Sequence, residues 1–105
     1  MTTPWIVLVI AGLLEVLWAF AMKQSDGFAR PAASGVTVLA MIASFALLSL
    51  AMRSLPLGTA YTVWTGIGAV GAFLVGVVVL GEPLTPLRLT GAALIVSGLV
   101  ALKLA

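Results

Sequence analysis

The chain has 105 residues, of which 63% are hydrophobic and 8% are charged, and its formal net charge is +2. A soluble domain is typically about 45–50% apolar and about 25% charged, and a domain this small buries only part of its surface. The composition therefore excludes a soluble globular domain and predicts an integral membrane protein. The sequence has no cysteine and no histidine, which excludes disulfides, thiolate chemistry and histidine-based metal sites.

The first apolar segment predicts a membrane-spanning helix over residues 4–22. Its length suits a bilayer core, since an α-helix rises about 1.5 Å per residue. We interpret it as a retained span, because it lacks the basic start and the A-x-A cleavage site of a signal peptide. Glu15 is the one charge in its apolar stretch. A charge at that depth costs roughly 2.5–3.5 kcal/mol on insertion scales, so Glu15 is a functional-site candidate.

Three further apolar segments predict helices over residues 32–52, 59–80 and 87–104. In the third helix, Gly68, Ala72 and Gly76 have the small-xxx-small spacing that lets helix backbones approach closely in lipid. The fourth helix has Gly91 and Gly98 but no polar group suited to a substrate, which favours association with another helix. The sequence thus predicts an all-α membrane protein in which residues 1–105 form a single domain of four transmembrane helices.

The lysines and arginines are nearly balanced between the two sides of this predicted bundle. Arg53 and Lys103 fall on one side, and Lys23, Arg30 and Arg88 fall on the other. Orientation is normally set by a clear positive excess in the cytoplasmic loops. The chain therefore inserts either one way through weak signals or both ways, and we favour an antiparallel homodimer, which would supply the inverted halves of larger transporters. Charges scattered between apolar blocks do not predict a nucleic-acid-binding surface.

Several residues around Glu15 predict a cation-binding site. Trp18 lies three residues after Glu15 on the same helical face, and Gly12, three before it, is expected to leave open space beside the carboxylate. The second and third helices add a hydroxyl, a phenol and an indole from Ser44, Tyr61 and Trp64. Aromatic faces attract cations by roughly 0.5–2 kcal/mol, and hydroxyl groups can satisfy the lone pairs of a carboxylate.

Each of these residues also has a purely structural interpretation. The tryptophans and Tyr61 are typical of packing or of an interfacial belt, and Ser44 can bond back to a helix carbonyl. The alternative for Glu15 is a protonated side chain in a helix contact. In a dimer, however, two Glu15 side chains sharing one cavity would lose their protons in coupled steps. Such a pair holds protons or a cation but not easily both, which is the basis of an exchange mechanism.

Four segments carry a resemblance to a known family. They are AGLLE at residues 11–15, KQSDGF at 23–28, LPLGTAYTVW at 55–64 and GAALIVSGLV at 91–100. The chain resembles the small multidrug resistance family along nearly its whole length. Trp18 and the run WTGIGAVG at residues 64–71 are most similar to its guanidinium exporter subtype, whereas Gln24 departs from the aromatic residue common in relatives.

The resemblance implies a dual-topology, antiparallel homodimer in the bacterial inner membrane, surrounded by lipid. It also implies proton-coupled export of guanidinium and small guanidinyl cations, with Glu15 binding substrate and protons in turn. Trp18, Ser44, Tyr61 and Trp64 would line that site, and the segment from Gly91 to Gly98 would hold the dimer. Guanidinium suits a carboxylate physically, because its planar N–H groups can bind both oxygens.

Two other functions stay open on the sequence. One is an exporter of quaternary ammonium or aromatic cations, and the other is a non-transporting small membrane subunit that packs on a larger complex. An enzyme is disfavoured, because the sequence lacks nucleophile–base pairs, metal ligands and a cofactor motif. We therefore expect no metal, no cofactor and no nucleic-acid partner.

Overall fold

The computed structural model describes residues 2–105. Within this range the chain is all-helical and contains four helices: α1 Thr2–Gln24, α2 Pro31–Ala51, α3 Leu57–Val78 and α4 Pro86–Leu104. Each is long and apolar enough to cross a membrane, which confirms the prediction of four such helices. The predicted domain also includes Met1, which lies outside the described residues.

Prolines and short polar turns define where the helices begin. Pro31 and Pro86 occupy the first turns of α2 and α4, where the missing N–H has no helical partner to lose. The side chain of Thr85 caps α4, because its Oγ1 accepts the backbone N–H of Arg88 at 3.1 Å. Pro4 lies within the first turn of α1 for the same reason as the other two prolines.

The four helices form a flat bundle that measures 40 × 34 × 17 Å. Helix α1 packs against both α2 and α3, whereas α4, among the described helices, packs mainly on α3. Many large apolar side chains are exposed on the outer faces. Since lipid tails are as apolar as leucine, a bilayer accommodates these faces without further protein contacts.

A small buried core lies where α1, α2 and α3 meet. It contains three alanines and four larger apolar residues: Leu8, Ala11, Leu48, Ala51, Ala60, Val63 and Trp64. The alanines allow the helix backbones to approach closely. Because Ala11 lies one helical turn before Glu15, this core fixes the position of the turn that carries the carboxylate.

Glycines bring α1 and α3 together on either side of Glu15. A Cβ atom added at Gly12 would lie 2.6 Å from Cγ2 of Ile67, and one added at Gly71 would collide with the side chain of Val16. The expectation that Gly12 leaves open space beside the carboxylate is therefore wrong, because Ile67 of α3 fills that space. The close contact instead presses the two helices together at the level of Glu15.

The turn between α1 and α2 is a short left-handed segment. Asp26, Gly27 and Phe28 have φ angles of 52°, 70° and 67°. Ser25 closes the turn, since its Oγ donates to the carbonyl of Met22 at 2.6 Å and accepts the N–H of Phe28 at 3.0 Å. A left-handed backbone costs roughly 1–2 kcal/mol for a residue with a side chain, so the glycine at the centre limits the strain.

Replacing Gly27 with alanine is expected to lower the free energy of unfolding by about 1 kcal/mol, because the added Cβ disfavours a left-handed backbone. The matched control is Gly35→Ala in α2, where the backbone is helical and we expect a gain of about 0.5–1 kcal/mol. No described atom lies within 4 Å of an added Cβ at either position, so steric clash does not contribute. Thermal unfolding in detergent, followed by circular dichroism, checks both. Equal shifts of the two variants would contradict this account of the turn.

Candidate functional site

The carboxylate of Glu15 extends from α1 onto the backbone of α3. It lies against Gly68 so closely that a Cβ atom added there would collide with Oε1, Cδ and Cγ of Glu15. The Glu15 side chain is partly buried, and its buried Oε1 has no hydrogen-bond partner within residues 2–105. Buried polar atoms are nearly always paired. Glu15 therefore has a buried acceptor atom that a proton or a ligand would have to satisfy.

Gly68 belongs to this site as well as to the packing ridge of α3. The spacing of Gly68, Ala72 and Gly76 indicated close approach to another helix, and the structure shows that Gly68 approaches the Glu15 side chain. The surroundings of Gly76 are different, because a Cβ there would collide with the side chain of Glu82 in the α3–α4 turn. Ala72 is partly buried. The spacing of these three residues predicted that other groups pack closely on α3, but it did not identify those groups.

Ser44 joins three helices beside Glu15. Its fully buried hydroxyl donates to the carbonyl of Ala11 at 2.7 Å and accepts the Nε1–H of Trp64 at 3.0 Å. In an α-helix the carbonyl of Ala11 also accepts the backbone N–H of Glu15. Ser44 thus bonds to α1 rather than back to its own helix, and it ties α2 and α3 to the turn that carries the carboxylate.

The aromatic candidates form a continuous row across α1, α2 and α3. The rings of Tyr61 and Trp64 are 5.6 Å apart between centroids, Trp64 and Phe45 are 5.8 Å apart, and Phe45 and Trp18 are 6.2 Å apart. Such separations are typical of interacting aromatic pairs. Phe45 was not among the candidates from the sequence, where its one signal is its position next to Ser44 in an apolar run.

Trp18 provides a second unpaired polar atom in the same region. Its Nε1 is buried and has no hydrogen-bond partner among the described residues. An indole N–H donates and cannot accept, and a guanidinium ion likewise has donors alone. The Trp18 N–H therefore suits an acceptor such as a carboxylate, while the ring face suits a cation.

A Ser44→Ala variant is expected to lose about 1–3 kcal/mol of stability, because Trp64 Nε1 is left buried without an acceptor. The matched control is Ser97→Ala, since the exposed Ser97 hydroxyl bonds to Ala93 in its own helix. The control is expected to change stability by less than about 0.5 kcal/mol. Thermal unfolding of the two variants side by side checks this. If Ser44→Ala were as stable as the control, the network would not hold the helices together.

The glycines of α4 lie apart from this cluster. Gly91 and Gly98 are exposed, and no described atom lies within 4 Å of a Cβ added at either position. None of the α4 residues is buried in the described chain. In a single copy this face of α4 is therefore uncovered. In addition, no group of acidic side chains within residues 2–105 could hold a metal ion.

Comparison with known proteins identifies the family of this chain. The family model described as Small Multidrug Resistance protein matches residues 3–95. The chain belongs to the small multidrug resistance family. The protein named guanidinium exporter of Escherichia coli (strain K12) is 62% identical over 100 residues, which cover 95% of each chain. Proteins of the same name from Citrobacter freundii and Salmonella typhimurium are 59% identical over 100 residues, again 95% of each chain.

Membership of the small multidrug resistance family confirms the resemblance found in the sequence. The family match and the four apolar helices make this a multi-pass membrane protein of a transporter family. The relatives are named as exporters rather than enzymes.

Proposed function

We propose that the chain exports guanidinium and small guanidinyl cations across the bacterial inner membrane in exchange for protons. The observation that carries the proposal is the buried Oε1 of Glu15, which has no hydrogen-bond partner among residues 2–105. A carboxylate with an open acceptor in an apolar bundle needs a proton or a cation. Relatives that are 62% identical and are named guanidinium exporters support this choice of cation.

The chemistry of the site favours guanidinium over a quaternary ammonium ion. Guanidinium offers planar N–H donors to the unpaired Glu15 oxygen, whereas a quaternary ammonium ion has none. In this proposal Trp18, Tyr61 and Trp64 present ring faces that attract the cation. Ser44 contributes indirectly, because its hydrogen bonds to Ala11 and Trp64 hold the ring and the α1 backbone in place.

Exchange follows from competition at one carboxylate. An ionised Glu15 binds the cation, and a proton that arrives at the same oxygens neutralises the charge and releases the cation. Protons entering from one side thus displace a cation that leaves on the other. When two such carboxylates share a cavity, their proton and cation binding is coupled.

We further propose that the working unit is an antiparallel homodimer with dual topology. The near balance of lysine and arginine between the two sides supports insertion both ways. In such a dimer, the Glu15 carboxylate of the second copy would supply an acceptor for the unpaired N–H of Trp18. Gly91 and Gly98, which are uncovered in the single chain, would form the contact between the two α4 helices. Gly68, Ala72 and Gly76 would pack within each copy, and Gly68 would leave room for the Glu15 carboxylate.

A substrate panel in proteoliposomes tests the proposed function. In liposomes that contain the unmodified protein, a gradient of guanidinium or of a small guanidinyl cation is expected to drive proton movement. A gradient of tetramethylammonium is expected to drive much less. Proton movement is followed with an internal pH-sensitive dye. Equal responses to tetramethylammonium would instead favour the broader multidrug exporter, and no response to any cation would favour the non-transporting subunit.

Dual topology predicts that the C-terminus is found on both sides of the membrane. A C-terminal fusion to a reporter active in the cytoplasm and one to a reporter active outside it are each expected to give signal. Removing one positive charge, by Arg53→Gln, is expected to shift the ratio of the two signals, since orientation follows the lysine and arginine balance. Signal from a single side in the unmodified chain would contradict dual topology.

A further inference from the structure

An apolar cleft opens between α1, α3 and α4. We call it the α4 cleft. It has a volume of about 520 Å³, and its walls include Val9 and Ile10 of α1, Ile67 of α3, and Leu99 and Val100 of α4. The cleft therefore offers apolar surface from three helices to a chain-like apolar group.

One charged side chain, that of Lys103, stands among the residues that line the α4 cleft. Its Nζ lies 4.7 Å from the centroid of the Trp5 ring. Trp5 is near the start of α1 and Lys103 is near the end of α4, so both lie at one end of the bundle, at the depth where aromatic and basic residues meet lipid headgroups.

No acidic side chain of the chain is available at that end. Glu15 is in the middle of α1, and Asp26 and Glu82 belong to the two turns at the opposite end of the bundle. The positive charge of Lys103 therefore lacks a complementary carboxylate side chain. An apolar cleft with an uncompensated cation at its mouth is complementary to a lipid that has an anionic headgroup.

The α4 cleft is also distinct from the glycine face of α4. Val100 follows Gly98 by two residues, which is about 200° around an α-helix, and Lys103 follows it by five, about 140°. A second copy that packs on Gly91 and Gly98 therefore leaves the cleft facing lipid. Between the two faces, Leu99 of α4 packs over Gly66 of α3.

We propose that the α4 cleft is a binding site for an anionic phospholipid, which places an acyl chain between α1, α3 and α4 and its phosphate at Lys103. The ammonium group donates to the phosphate oxygens, while the Trp5 ring keeps the lysine side chain over the mouth of the cleft. The bound lipid fills the gap beside α4 and links it to α1. This site does not depend on the proposed transport of guanidinium.

Native mass spectrometry of the full-length protein tests the proposal, with phosphatidylglycerol and phosphatidylcholine of identical acyl chains as the two probes. Phosphatidylglycerol is expected to be retained preferentially. Lys103→Gln is expected to reduce that retention about fivefold, which corresponds to the attraction of one basic residue for an anionic membrane surface. Lys103→Arg should preserve it. The matched control is Lys23→Gln, which removes the same charge at the opposite end and is expected to leave retention unchanged.

A second variant tests whether the acyl chain of the lipid lies in the α4 cleft. Val100→Phe fills the α4 cleft and is expected to reduce retention of both lipids, while thermal unfolding in detergent verifies that the variant is folded. Equal retention of the two lipids by the unmodified chain would overturn the proposal, as would an unchanged preference in Lys103→Gln. Loss of the dimer rather than of lipid in Val100→Phe would also overturn it, because a second copy would then occupy the cleft.

Discussion

A Glu15→Gln variant is expected to lose guanidinium-driven proton movement in proteoliposomes. The amide has nearly the shape of the carboxylate but carries no charge and takes up no proton in exchange for a cation. Removing one partner of a buried ion pair costs about 3–5 kcal/mol, and 1.4 kcal/mol is tenfold in affinity. We therefore expect guanidinium binding to weaken by more than about 100-fold, as measured by isothermal titration calorimetry alongside the flux.

The matched control for Glu15→Gln is Glu82→Gln. It makes the same chemical change at an exposed carboxylate in the α3–α4 turn, so proton movement is expected to stay close to that of the unmodified chain. Circular dichroism of both variants verifies that the four helices are retained. Full flux in Glu15→Gln would remove the transport role from this residue. Equal loss in both variants would mean that the flux does not depend specifically on the Glu15 carboxylate.

The four helices could be predicted from sequence, and Glu15 could be singled out as a candidate, because both inferences depend on local chemistry. Apolar length defines a span without knowledge of its neighbours, and a carboxylate in such a span is costly wherever the other helices lie. The starts of α2 and α4 likewise depend on local chemistry, since Pro31 and Pro86 stand in their first turns and proline limits a helix irrespective of packing.

The contacts around Glu15 could not be predicted, because they depend on how each helix is rotated and how far it slides against the next. Gly12 has a neighbour in Ile67, and Gly68 has one in Glu15 itself, yet no spacing within one helix identifies a partner on another. Ser44 was a candidate because its hydroxyl could satisfy the lone pairs of a carboxylate. In the structure this hydroxyl bonds to the Ala11 carbonyl, and not to its own helix or to the carboxylate. This choice of partner depends on how α2 packs on α1.

The position of Phe45 was missed for the same reason. In the sequence it is one apolar residue in an apolar run, and in the structure it connects the rings of Trp18 and Trp64. Phe45 therefore extends the aromatic row across α1, α2 and α3. A cation at Glu15 would therefore meet aromatic surface contributed by three helices, and a relative rotation of any of them would alter the site.

Gly68→Ala is expected to be the most damaging substitution outside Glu15 itself. A Cβ atom at this position would collide with the Glu15 carboxylate, and overpacking of a close contact costs about 1–3 kcal/mol. The structure can respond in two ways. If the carboxylate moves, guanidinium-driven flux falls while the thermal midpoint is kept, and if α1 and α3 separate, flux and thermal midpoint fall together.

The two responses to Gly68→Ala are separated by measuring flux and thermal unfolding on the same preparation, with Gly35→Ala as the matched control. Gly35 has open space around an added Cβ within the described chain, so the same methyl group there is expected to leave flux intact. Combining Gly68→Ala with Glu15→Asp, which shortens the side chain by one methylene, should recover part of any stability lost, because the two groups are in contact and their effects are not additive. Unchanged flux and stability in Gly68→Ala would mean that the carboxylate does not rest on α3, and the site would have to be rebuilt around Glu15 in another orientation.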